Sequence, residues 1–120
     1  MIELMTDLPA NMIGLNASGK VTAEDYESTI VPAVEAALAD NDKVRLLYRL
    51  GEGFDGFEAG AIWEDTKVGL GHLAAWERIA LVTDVEWIRI AVKAFGFAMP
   101  GEVRVFADAE MGAAKAWLQS

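Results

Sequence analysis

Residues 76–89 read WERIALVTDVEWIR. Within them Ile79-Ala80-Leu81-Val82 is an unbroken apolar run, short and β-branched enough for an interior parallel strand. Thr83-Asp84 follows at once, and the spacing then turns helical, with Ile88, Val92 and Phe95 on one stripe and Ala91 and Ala94 beside it. A buried strand that ends in an acid and feeds directly into a helix is one step of a parallel α/β sheet. Thr83 is placed to cap that helix, with Glu86 three residues on as its reciprocal partner. Asp84 suits the positive end of a helix. The same strand ends are where α/β sheets gather ligands, so Trp87 belongs either to the core or to the floor of a crevice.

The rest of the chain repeats the step. Residues 2–5 and 11–17 are short apolar segments separated by Leu8-Pro9-Ala10, which predicts two strands. Ser18-Gly19-Lys20 reads as a turn. Thr22 with Asp25 three residues later opens a helix through a capping-box pattern, Asp standing for the preferred Glu. Pro32 lies inside that helical pattern, where it removes a donor and crowds the carbonyl of Ser28, so a kink is expected. Val44 to Leu50 predicts an interior strand, and GEGFDGFEAG at 51–60 a glycine-rich loop. Helical spacing returns over 59–75, weakened by about 1 kcal/mol at each of Gly69 and Gly71. After the helix that follows Thr83, Met99-Pro100-Gly101 is a break. Glu102–Phe106 predicts the last strand, and Asp108 the cap of a final helix with Met111, Ala114, Trp117 and Leu118 facing inward. The order β-β-α-β-α-β-α-β-α demands a mostly parallel, five-stranded sheet with an N-terminal hairpin, flanked by about four helices.

The totals bound the function. The chain has 120 residues, 53% of them hydrophobic, enough for one domain spanning 1–120 with a real core. It has no cysteine, which removes disulfides, thiolate metal sites and a cysteine nucleophile and fits a reducing, cytoplasmic setting. A formal net charge of −9 opposes nucleic acid and anionic lipid as partners. No run approaches the length of a membrane span, and the first residues lack the pattern of a signal peptide.

Catalytic patterns fail one by one. The serines are Ser18, Ser28 and Ser120, the only histidine is His72, and no G-x-S-x-G elbow occurs. Glu64 and His72 stand two helical turns apart, too far to share one ion, and the acids of 51–58 do not follow a calcium loop. Gly51, Gly53 and Gly56 spell G-x-G-x-x-G, but Glu52, Asp55 and Glu58 put carboxylates where a pyrophosphate would sit. No cofactor, metal or catalytic residue is therefore expected. Topology brings three acids, Asp55, Asp84 and Asp108, to the same end of the sheet.

Three stretches resemble the SpoIIAA-like family, a bacterial group related to STAS domains: GKVTAEDYESTIVPAVEAAL, WEDTKVGLGHLAAWERIALVTDVEWIR and VRVFADAEMGAAKAWL. The resemblance covers nearly the whole chain. It implies a single STAS-like α/β domain and, more distantly, a similarity to CRAL-TRIO lipid-transfer domains. Well-studied STAS proteins are switched by phosphorylation of a serine at the start of the helix after the third strand. Here that region reads Gly56-Phe57-Glu58-Ala59-Gly60, and the first hydroxyl, Thr66, lies inside the helix. The switch does not carry over.

The sequence thus points to a non-enzymatic binding or regulatory module acting through protein–protein interaction. Its expected contact face is the 51–60 loop, with Phe54, Asp55, Phe57 and Glu58 as contacts and the phenylalanines as exposed anchors. The alternative is a carrier or sensor of a small apolar or lipid-like ligand, lined by Trp63, Leu70, Trp76, Trp87 and Phe95. A homodimer fits a small apolar-rich domain, though no residue sets its symmetry.

Overall fold

The computed structural model describes residues 1–6, 8–71, 73–96 and 101–120, with the side chains of 52, 64–66, 68–70, 73 and 95 set aside. Among these residues five strands form one sheet in the order β1-β2-β3-β4-β5. β1 (Ile2–Leu4) pairs antiparallel with β2 (Met12–Val21), which makes the N-terminal hairpin. β3 (Val44–Phe57), β4 (Trp76–Thr83) and β5 (Glu102–Phe106) then add in parallel. Between β2 and β3 lie α1 (Ala23–Asp25), a π-turn over Tyr26–Ile30 and α2 (Val31–Asp40). α3 (Ala59–Gly71) follows β3, α4 (Glu86–Gly96) follows β4 and α5 (Met111–Gln119) follows β5.

Period-two alternation divides each central strand between two cores. Val44, Tyr48 and Leu50 of β3 and Leu81 of β4 join Ile13, Leu15 and Val21 of β2 in the larger cluster, covered by Tyr26, Ile30, Val34, Ala61 and Ile88 from the helices. Leu47, Ala80 and Val82 point the other way, with Met12 of β2 in the same cluster, and Ala114 and Leu118 of α5 cover them. Both faces of β3 and β4 are thus sealed, as their apolar runs require.

Pro32 produces its irregularity upstream. Thr22 closes the expected capping box: its hydroxyl accepts from the Asp25 amide at 3.2 Å, and its own amide donates to Asp25 Oδ2 at 2.9 Å. The helix then widens over Tyr26–Ile30, and the Val31 amide reaches back to the Tyr26 carbonyl. A π-turn of this kind relieves the contact between the proline ring and the carbonyl of Ser28, which an unbroken α-helix would force. Pro32 itself sits in the first turn of α2, where its missing amide is no loss.

Two readings of the sequence need correction. Ser18-Gly19-Lys20 is not a turn; it continues β2, with Gly19 at φ +59°. The 51–60 stretch is not a loop either; β3 runs on through it to Phe57. From the Met12–Arg45 pair to the Val21–Phe57 pair β2 advances nine residues and β3 twelve, so three residues of β3 are taken up in bulges. Gly56, at φ +108°, supplies the backbone conformation that the last bulge needs. Glycines that read as loop punctuation are therefore bulge residues, and their β-pairing is invisible to composition. Met99 and Pro100 of the expected break lie outside the described residues.

α5 runs opposite to the strands it covers. Its C-terminal carbonyls meet two arginines from neighbouring strands: Arg45 donates to the carbonyls of Leu118 and Ser120, and Arg78 to those of Trp117 (2.7 Å) and Ser120 (3.1 Å). Arg45 and Arg78 are cross-strand partners, a like-charge pair that the negative end of the helix makes tolerable. Glu77 offsets it further, accepting from Arg45 Nε at 2.6 Å. The Trp117 ring lies beneath the Arg78 and Arg104 guanidinium groups at 5.3 and 5.0 Å.

Candidate functional site

Where β3 passes the carboxyl ends of β4 and β5, an open cleft of about 470 Å³ is bounded by Arg49, Asp84, Asp108 and Ala109. Each residue arrives there by topology. Arg49 is the penultimate residue of β3 before the bulges and points to the α5 side, like Leu47 two residues earlier. Asp84 immediately follows β4, and Asp108 follows β5 at the head of a 3-10 turn. Arg49 Nε donates to Asp108 Oδ1 at 3.0 Å, and the Asp108 amide donates to Asp84 Oδ1 at 3.0 Å. β3 and the segments that follow β4 and β5 are thus tied together by a chain of charge-assisted hydrogen bonds.

The sequence placed Asp84 and Asp108 on this side of the sheet, and the structure brings them to one cleft. Asp55 does not line it; it stands exposed in the bulged end of β3. Arg49 was missed, because it sits in a run that reads as plain strand, and only a register count shows it reaching the strand end. Two capping assignments also change. Asp108 does not cap α5: its carboxylate goes to Arg49, while Glu110 Oε1 takes the Ala107 amide at 2.7 Å. Thr83 does not cap α4, which begins later; its hydroxyl takes the Val85 amide at 3.1 Å, and its carbonyl takes Arg89 Nη1 at 2.8 Å.

A second surface adjoins the end of β3. Phe54 and Phe57 meet edge to face at 5.0 Å, and Phe57 meets Trp87 of α4 at 6.4 Å. The phenylalanines are half-buried against the larger core, so they are not the free anchors that a loop would have offered. Trp87 is 55% exposed and Ile90 is 61% exposed. Ala91 and Ala94, expected beside the inward stripe, also face outward. Positions 87, 90, 91 and 94 follow the i, i+3, i+4, i+7 spacing of a single helix face, so α4 carries an apolar stripe on its solvent side as well as one against the sheet. Asp55, Glu58 and Glu86 are exposed acids adjoining these rings in sequence.

The residues of the apolar lining separate. Trp76 is buried at 4% exposure, while Trp63 is exposed at 62%, its ring under Lys67 Nζ at 5.9 Å. Among the described residues the Trp76 indole N–H has no hydrogen-bond partner. The side chains of Leu70 and Phe95, and the whole of His72 and Phe97, lie outside the described residues. Among those described, no three metal-ligating side chains come together, and no helix is long and apolar enough to cross a membrane. Glu58 stands at the head of α3, its carbonyl accepting from the Ala61 and Ile62 amides, at the position where the STAS resemblance would put a switch serine.

The sheet, with its N-terminal hairpin, parallel core and helices on both faces, defines an α/β domain of the SpoIIAA-like fold. The SpoIIAA-like family model matches residues 12–119, and the chain belongs to that family. A solved structure from Shewanella loihica PV-4, described as an uncharacterized protein with a SpoIIAA-like fold, is similar at 30% identity and a TM-score of 0.78, over 98% of this chain and 92% of that one. No curated protein sequence matches it.

Proposed function

We propose that the chain is a non-enzymatic binding module of the cytoplasm that holds a partner protein on the outward face of α4. The observation that carries this reading is the exposed stripe Trp87-Ile90-Ala91-Ala94, whose tryptophan is braced by Phe57, itself packed on Phe54. Solvent-facing aromatic and aliphatic side chains grouped at helical spacing mark interaction surfaces, and a tryptophan held by neighbouring rings loses little freedom on binding. The acids nearby and the net charge of −9 favour a partner whose apolar contact is bordered by basic side chains. They disfavour a second copy of the same chain, which would bring an equal negative charge to the interface.

The test is the double variant Trp87→Ser, Ile90→Ser. The partner is first captured from host lysate on the immobilised wild-type chain, then purified and titrated directly. Both side chains are more than half exposed, so the melting temperature should stay close to wild type. Affinity should fall at least about tenfold. Equal affinity of wild type and variant for the purified partner would overturn the proposal.

A second reading, carriage of a small apolar ligand, rests on the buried indole of Trp76, whose N–H finds no acceptor among the described residues. Native mass spectrometry of gently purified protein tests it: a mass excess lost on denaturation supports a cargo, and a bare chain mass removes it.

A further inference from the structure

We propose that the cleft bounded by Arg49, Asp84 and Asp108 binds a small zwitterion of the amino-acid type, a carboxylate and an ammonium group a few bonds apart. Arg49 spends only its Nε on Asp108. Among the described residues its two terminal nitrogens bond to no protein atom. They form a parallel pair of donors, the arrangement that takes a carboxylate through two hydrogen bonds. The Nε bond to Asp108 fixes the plane of that pair in advance, which lowers the ordering cost of binding.

Asp84 provides the opposite pole. One of its oxygens is occupied by the Asp108 amide at 3.0 Å, and the side chain is otherwise exposed. Arg49 and Asp108 neutralise each other, so the negative charge left in the cleft belongs to Asp84. A simple anion at Arg49 would face that charge, and a simple cation at Asp84 would leave the two terminal donors of Arg49 without an acceptor. A zwitterion satisfies both and adds no net charge.

A Cβ at Gly51 would stand in ordinary contact with the Cζ, Nε and Nη2 atoms of Arg49, at 3.6 Å, so the glycine leaves that flank of the guanidinium uncovered. The cleft, open to solvent and about 470 Å³, lies beside the carboxyl ends of the parallel strands β4 and β5, where α/β sheets gather ligands.

The proteinogenic amino acids serve as probes, screened singly by thermal shift at about 10 mM, a level that reaches millimolar sites. The strongest is then titrated by calorimetry beside its hydroxy-acid analogue, which lacks the ammonium, and its amide analogue, which lacks the carboxylate. Each analogue should bind at least about tenfold more weakly, the size of one charge-assisted hydrogen bond. Asp84→Asn keeps an oxygen for the Asp108 amide and leaves the Arg49–Asp108 pair intact. It should bring the amino acid down to the level of its hydroxy analogue and leave the latter unchanged. Arg49→Gln should abolish binding of both. Absence of any amino-acid response overturns the proposal, as does equal binding of the hydroxy analogue or undiminished binding by Asp84→Asn.

Discussion

At the scale of single residues, the capping box at Thr22 is the most sharply defined local device. Burial raises the Asp25 pKa, but hydrogen bonds from the Thr22 amide and hydroxyl and the Met1 ammonium at 3.4 Å outweigh it, and the carboxyl is held below the usual aspartate range. A depressed folded-state pKa contributes stability that is present above the unfolded value of about 3.9 and is lost as pH falls through the folded value. Asp25→Asn should therefore be less stable than wild type near neutrality, and the gap should close as pH is taken below about 3.9. Urea midpoints across that range read the effect. Thr22→Ala removes one acceptor of the same box and should cost about 1 kcal/mol. A pH-independent gap for Asp25→Asn would mean that the carboxylate charge contributes nothing.

At the scale of elements, the two ends of α5 do different work. Its C-terminus is held by Arg45 and Arg78, and the segment leading into it is held at Asp108 by Arg49. Arg78→Ala strips hydrogen bonds from the Trp117 and Ser120 carbonyls and the cation–π contact with the Trp117 ring, and should lower stability by about 1–3 kcal/mol. Denaturant unfolding of the single and double variants with Arg45→Ala measures how far the two arginines act as one clamp. A coupling energy near zero would make them independent. Gly56→Val should be destabilising by about 1–3 kcal/mol through its φ of +108° alone, since a β-branched residue resists that backbone conformation. Thermal denaturation checks it. The strands, the helices and their order were legible because apolar runs and helical stripes report burial directly. The Thr22 box was legible because its partners are three residues apart. The bulges of β3 were not, because they are defined by a register against β2 that no local pattern encodes. Arg49 escaped notice for the same reason, and Asp108 was assigned a local partner where the fold supplies a distant one.

At the scale of the whole molecule, the net charge of −9 acts on folding and on binding with opposite signs. Compacting nineteen carboxylates against ten basic side chains sets like charges against each other in the folded state, and salt screens that repulsion over a Debye length of about 10 Å at 0.1 M. Raising sodium chloride at constant neutral pH should therefore raise the melting temperature of the free chain. Capture of a partner with a basic border draws on the same charges as attraction, so its association rate should fall over the same range while its dissociation rate, set by the Trp87-Ile90 contact, changes less. Calorimetric scans of the free chain and surface-plasmon kinetics of the complex, taken in one salt series, follow the two trends together. A rising melting temperature with a falling association rate is the expected pair. An association rate indifferent to salt would place the contact entirely on the apolar stripe, and a rate that rose with salt would assign the partner an acidic border in place of a basic one.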